Sequence, residues 1–256
     1  MKKRYYILIG VLSYLAFTLA NVPASKIISL AKKNTDLPVN IYGTYGSLWN
    51  GGADKMMLQN SPDIDNLHWS INPAYMLLAQ ISGEIKASIN KQNIIGQVNI
   101  GPTGELSAKD VRARMDASSV QELLQLPLGE LGGTFIIDIA SISGLDKTIP
   151  VIDANIKWQS ANLTLAETLD LGHINMTINP DSDDQLKGTI LNTKGQVTLD
   201  GKFTLNNNKS YSIDLRLVPQ KSATENIRQS LGMFARRQND GSYLLKKTGN
   251  LNEFGI

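Results

Sequence analysis

The sequence predicts a mainly β fold: one N-terminal transmembrane helix, then an elongated, twisted, largely antiparallel, one-faced β-sheet domain with a few short helices. Three observations predict it. A basic, apolar head stands once in the chain, strict alternation of apolar and polar residues dominates the remainder, and the few helix-start signals each open a short run. The domain plan is a head at 1–4, an anchor at 5–22, an amphipathic juxtamembrane segment at 23–38 and a β-rich domain at 39–256.

Lys2, Lys3 and Arg4 precede an apolar run from Tyr5 to Ala20 that is broken only by the mildly polar Ser13 and Thr18. Such a segment is read by an export machinery. Sixteen helical residues span roughly 24 Å, short of the roughly 30 Å hydrocarbon core of a bilayer. Two readings therefore compete. Thr18-Leu-Ala20 and Val22-Pro-Ala24 place small residues near the spacing for signal cleavage, whereas Tyr5 and Tyr6 at one edge and Lys26 at the other suit a retained, interface-anchored helix.

Beyond the head, Ile81, Ile85, Ala87 and Ile89 alternate with Ser82, Glu84, Lys86 and Ser88, the pattern of a half-buried strand. Phe135, Ile137 and Ile139 repeat it, as do Ala154, Ile156 and Trp158, and Ile174, Met176 and Ile178. Val197, Leu199, Phe203 and Leu205 lead through Asn206-Asn-Asn-Lys209 to Tyr211, Ile213, Leu215 and Leu217. Gly195 and the pair Asp240-Gly241 supply positions where positive φ is cheap, as short hairpin turns require. One greasy and one wet face per strand, joined by short turns, predicts an antiparallel sheet.

Three short helices punctuate it. Asn72-Pro73 caps and opens Ala74 to Gln80. Ser119 with Glu122 forms a capping box for Val120 to Leu126, and Ser222 with Glu225 another for Ala223 to Leu231, closed by Gly232. Two sheet-rich halves, 39–140 and 150–256, flank the Leu145-Asp-Lys-Thr-Ile-Pro150 stretch without a low-complexity linker.

Composition removes several functions. With no cysteine among 256 residues, disulfides, thiolate metal sites and cysteine nucleophiles are excluded. Twenty-five basic and 23 acidic residues give +2, and the three head cations account for more than that excess, so the body lacks the charge of a nucleic-acid binder. His68 and His173 sit in no metal spacing and read as structural strand residues. Asp181-Ser-Asp183-Asp184 starts like a calcium loop, but Leu186 stands where its glycine belongs, so a solvated turn is the reading. Gly101-Pro-Thr-Gly104 lacks the lysine of a phosphate loop, and no GxSxG elbow occurs. No enzyme, metal or cofactor is expected.

The stretch from Lys209 to Lys247 holds eight cations, among them Arg228, Arg236, Arg237, Lys246 and Lys247, against Asp214, Glu225 and Asp240. The plain reading is cations on wet strand faces. The sharper one makes those five a docking face for an acidic partner or anionic lipid.

Gly43-Thr-Tyr-Gly-Ser-Leu-Trp49-Asn-Gly51-Gly-Ala53 is followed by Leu67-His-Trp69-Ser-Ile-Asn72-Pro73 and Ile81-Ser-Gly83, then by Leu126-Pro127, Gly132-Gly133-Thr-Phe135, Ile156-Lys-Trp158-Gln-Ser-Ala161, Gly195 through Asp200-Gly201, Val218-Pro219 and Asp240-Gly241-Ser-Tyr243. In this order, over nearly the whole chain, the segments resemble type II secretion system protein N, the general secretion pathway N protein of Gram-negative bacteria. The glycine doublet and Tyr45 depart from the compactness of the usual first motif. The resemblance implies a single-pass inner-membrane protein with a β-rich periplasmic domain. It implies an accessory role in exporting folded proteins across the outer membrane, other secretion components as partners, and no enzymatic activity. It also favours retention of the anchor. Trp49, Trp69 and Trp158 are then structural anchors, since an indole buries much apolar area while its N–H reaches a carbonyl. A different class of function stays open: a one-faced sheet must cover its apolar side, so a groove binding or conducting phospholipid or another hydrophobic ligand, similar in architecture to the AsmA-like periplasmic proteins, is the alternative.

Overall fold

A computed structural model of the chain describes residues 2–26, 28–29, 39–58, 63–123, 129–144, 150–164, 167–182 and 185–250. It is mainly β, with fourteen strands among the described residues, and every recorded strand pairing is antiparallel. Two compact units divide it, Met1–Pro102 and Thr103–Ile256. The Leu145–Pro150 stretch is not the boundary: the strands on either side of it pair with each other, and residues 145–149 lie outside the described residues.

In the first unit, α1 (Lys2–Ala20) forms from the basic, apolar head. The expected membrane-spanning anchor at 5–22 is not supported: among the described residues no helix is long and apolar enough to cross a membrane. The physical reason lies in the composition of α1, whose 19 residues include the three head cations. Of the amphipathic segment at 23–38, residues 27 and 30–38 lie outside the described residues, and Ala24 begins a short helical turn.

Strands β1 (Val39–Gly46), β2 (Asn50–Leu58), β3 (Ile64–Ile71), β4 (Ile81–Ile89) and β5 (Gln92–Ile100) come next in chain order. Ile64 lies opposite Ile89 and Trp69 opposite Ile85, although 64 and 69 differ in parity. A bulge between Asp65 and His68 reconciles them, with Asn66 at φ 50. One inserted residue slips the alternation by one and returns the apolar side chains to the same face. Gly52 lies opposite Tyr45, and a Cβ there would stand 2.3 Å from the phenol oxygen. The doublet and the tyrosine that loosen the first motif are thus one packed pair, a ring lying over a bare backbone.

The second unit comprises β6 (Leu106–Asp116), β7 (Glu130–Ser143), β8 (Val151–Thr164), β9 (Thr168–Ser182), β10 (Gln185–Thr193), β11 (Val197–Asn206), β12 (Ser210–Pro219), β13 (Arg236–Arg237) and β14 (Tyr243–Asn250). They lie in chain order except that β14 stands between β12 and β13. No strand pairing closes either unit into a barrel among the described residues. Register makes the two faces explicit. Ala113, Ile137, Ile156, Met176, Ile190, Gly201, Leu215 and Leu245 lie side by side across eight strands. The adjacent row, one residue along and on the other face, is Arg112, Asp138, Asn155, Thr177, Thr189, Lys202, Asp214 and Lys246. Directly opposed residues share a face, so this is a one-faced sheet.

The Asn72-Pro73 start is where the sequence places it, in a 3₁₀ turn rather than an α-helix, and the other two helices depart from their expected frames. Asn72 caps a 3₁₀ turn over Pro73–Leu78, its Oδ1 accepting from Ala74 N at 3.0 Å. Helix α2 (Ala117–Leu123) starts two residues before Ser119. Helix α3 (Glu225–Phe234) is capped by Thr224, whose Oγ1 accepts from Ile227 N at 3.2 Å, and it runs past Gly232. That frame points Ile227 and Leu231 into the sheet, where they meet Val197, Leu217, Ala223, Ala235 and Tyr243 in the principal buried cluster. Burial of two large side chains outweighs the choice between two equivalent caps.

Candidate functional site

Three features could carry function: an apolar groove on the first unit, the indoles, and the basic end of the second unit. The groove lies over β3, β4 and β5 and has a volume of about 310 Å³. Trp69, Ile71, Ile85 and Val98 line it, with Ile28 and Leu48 at one side and Ile81 and Ile100 beside them. The last two are exposed large hydrophobics. Alternation puts these residues on one strand face but does not reveal the groove, because it arises where the turn after α1 leans on that face. Its remaining outer neighbour, the 3₁₀ turn, carries Tyr75, Met76, Leu77 and Leu78, all exposed.

Trp69 Nε1 donates to Leu48 O at 3.0 Å and Trp158 Nε1 to Gly132 O at 2.9 Å. Both indoles thus tie a strand to a neighbouring segment. Trp158 also stacks on Phe135, directly opposite across the strands, with ring centroids 4.9 Å apart and planes 17° apart. Gly133, at φ +97, sits where a Cβ would stand 2.4 Å from Gln159 O, so only glycine fits beside this pair. Trp49 lies in the β1–β2 hairpin, and its carbonyl accepts from Ile71 N at 2.6 Å.

Register divides the five cations that the sequence groups as one docking face. Arg236 opposes Leu244 and Arg237 opposes Tyr243, so the two project to opposite faces of the sheet. Lys246 pairs with Asp214 at 3.1 Å, while Lys247 opposes Ile213 on the apolar side. Arg228 on α3 donates from Nη2 to Gln220 O at 3.1 Å. Arg236 and Arg237 remain exposed. As a two-residue cationic strand at the end of the strand order, they also fit the role of an edge guard against unwanted strand pairing.

Asp240 organises the turn before β14. Its Oδ1 accepts from Ser242 N at 3.0 Å and from Ser242 Oγ at 2.6 Å, and its Oδ2 pairs with Arg216. The Ser242 hydroxyl first, then the Ser242 N–H and the Arg216 charge, hold this carboxyl below its ordinary value of 3.8. A depressed folded pKa stabilises the fold above the unfolded value and loses that contribution as pH falls through the folded one. The melting-temperature gap between wild type and Asp240→Asn is therefore expected to be constant near neutrality and to close on acidification from about 3.8 downward. A gap that persists in acid would remove the carboxylate from this role.

Among the described residues, no group of three or more His, Asp or Glu side chains is placed to hold a metal ion. His173 is exposed on β9, its Nδ1 accepting from Ser160 N at 3.2 Å, and His68 lies opposite Gly52 and Lys86. Asp181, Ser182 and the two aspartates after them contribute no described side chain, and Leu126-Pro127 lies outside the described residues.

On comparison with known proteins, a model of the type II secretion system protein N family matches residues 38–246. No curated protein and no solved structure matches the chain. The matched region runs from the residue before β1 into β14, across both compact units and past every indole, so the chain belongs to the type II secretion system protein N family.

Proposed function

We propose that the chain acts at the inner membrane as an accessory component of the type II secretion system, supporting export of folded proteins across the outer membrane through contacts with other secretion components. The observation that carries this reading is the family match over residues 38–246. Strand β1 suits it physically. It stands at one end of the strand order with Tyr42 and Tyr45 exposed, and an edge strand offers backbone groups to which a partner strand can add. The head at 1–4 lies on the cytoplasmic side, α1 is embedded in the membrane, and 39–256 faces the periplasm. Embedding a short apolar helix asks only for local thinning of the bilayer and snorkelling of its cationic head. Trp49, Trp69 and Trp158 serve the fold. No catalytic step is assigned.

Deleting the gene is expected to reduce export of type II substrates, and the full chain should restore it; normal export of every substrate after deletion would end this reading. An Arg236→Glu/Arg237→Glu chain is expected to keep its fold and to restore export poorly, with crosslinking to its partners reduced. Full restoration would assign both arginines to guarding the edge alone.

The apolar groove favours a second reading, in which the periplasmic part binds or conducts phospholipid or another hydrophobic ligand. A groove floored by Trp69 and the isoleucines of β4 and β5 leaves apolar surface uncovered among the described residues. Mass spectrometry of gently extracted protein separates the two, since a stoichiometric lipid is expected only for the second.

A further inference from the structure

We propose that the 3₁₀ turn Pro73–Leu78 is a second foothold on the lipid surface, dipping Met76, Leu77 and Leu78 into the membrane that holds α1. Leu77 is 89% exposed, the most exposed large hydrophobic of the described residues, and its three neighbours Tyr75, Met76 and Leu78 are exposed with it. Single exposed apolar residues are ordinary; a contiguous run of four is the mark of a contact surface.

The turn is rigid. Asn72 caps its start, Pro73 fixes its first φ, and Ala79, left-handed at φ 54, closes it by donating its N–H to Met76 O at 3.0 Å. Its position is fixed as well. Ile71 N donates to Trp49 O at 2.6 Å and Asn72 N to Ser82 O at 2.9 Å, which binds the turn to the β1–β2 hairpin and to β4. The same hairpin receives the chain leaving α1: Leu48 N donates to Val22 O at 2.9 Å, and Pro23 bridges Ser47. The exit of α1 and the apolar turn therefore share one end of the first unit's sheet.

Two further observations name lipid as the occupant. Tyr5, Tyr6, Ile7, Ile9, Val11, Tyr14 and Phe17 of α1 are all exposed, and at about 100° per residue they spread over about two thirds of the helix circumference. A helix apolar over so wide an arc needs an apolar surround. At the end of the sheet to which α1 is tied, residues 41–53 and 69–83 contain no Asp, Glu, Lys, Arg or His, and Glu84, opposite Ser70, has its carboxylate paired with Lys86 at 2.6 Å. The opposite end carries Asp63, paired with Lys55 at 2.6 Å, and the Asn90-Lys91 turn. This polarity turns toward the anionic head groups an end where the bordering Glu84 carboxylate is paired with Lys86.

The absence of cysteine makes the test direct. Full-length Leu77→Cys, labelled with the environment-sensitive fluorophore NBD, is placed in vesicles of phosphatidylethanolamine and phosphatidylglycerol beside labelled Phe17→Cys on α1 and labelled Leu191→Cys on β10. Leu77 is so exposed that its replacement removes no packing. The label at 77 is expected to shift to the blue, to be quenched by doxyl-labelled lipid and to be shielded from iodide, as at 17, while the label at 191 stays water-like. A label at 77 that remains open to iodide and untouched by doxyl lipid overturns the proposal, whether or not the label at 17 is buried. The inference goes beyond the secretion role, because export after gene deletion and lipid contact at Leu77 are read separately.

Discussion

Trp158→Ala is expected to cost the second unit about 3–4 kcal/mol, read as a lowered urea midpoint at unchanged slope. The indole joins three elements of support. It stacks on Phe135 across the β7–β8 pair, donates to Gly132 O at 2.9 Å, and precedes the bulge at which Ser160 takes φ 50. Removing it opens a cavity beside Phe135, strands a carbonyl and loosens a bulge that only glycine at 133 permits. Trp158→Phe retains the ring stack and loses the donor, so about 1–2 kcal/mol is expected. Trp69→Ala should fall between them: like Trp158 it lines an open groove and donates to a carbonyl, but among the described residues no aromatic ring stacks on it. A Trp158→Ala chain as stable as wild type would end the anchor role for this residue.

The same region shows where sequence alone suffices and where it stops. Alternation at Ile81 to Ile89 and at Phe135 to Ile139 records side-chain direction, which a half-buried strand imposes residue by residue; those segments are β4 and part of β7. Bulges break the record without breaking the sheet. Asn66, Asp110 and Ser160, with φ at or near 50, each occur where a strict period of two would place an apolar residue on the wrong face. Their signal is faint: a small polar residue that tolerates the left-handed region, inside an otherwise regular strand. The cap of α3 is hidden for a different reason. Ser222 and Thr224 are chemically near equal, and burial of Ile227 and Leu231, a tertiary fact, selects the frame. Tertiary placement likewise hides the groove, the exposure of Leu77 and the Lys246–Asp214 pair, whose members lie 32 positions apart and meet only through β12–β14 register. The glycine and tryptophan positions behind the family resemblance are legible because bulky rings need bare backbone opposite or beside them, as Tyr45 needs Gly52.

Leu231→Asp is expected to release α3 from the sheet, at a cost of at least about 4 kcal/mol, against about 3 kcal/mol for Leu231→Ala. Leu231 is 3% exposed and packs with Ile227 four residues before it, on Val197, Leu217 and Tyr243. A carboxylate at that point has no cation within the buried cluster, so it ionises only by drawing water into the cluster. Met233→Asp, two residues on and 85% exposed, adds the same charge to the same helix and should change stability by less than about 0.5 kcal/mol. Hydrogen exchange separates local release from general unfolding: protection should fall in α3, β13 and β14 and persist in β6 to β8, which contribute no residue to the buried cluster. The pair also bears on the basic end. Ala235, buried at the close of α3, leads straight into Arg236 and Arg237, so releasing the helix displaces β13. Loss of partner crosslinking in both Leu231→Asp and Arg236→Glu/Arg237→Glu, with Met233→Asp unaffected, would locate recognition in the arginines and their presentation in α3. Loss in Leu231→Asp alone would place recognition in the sheet that the helix covers.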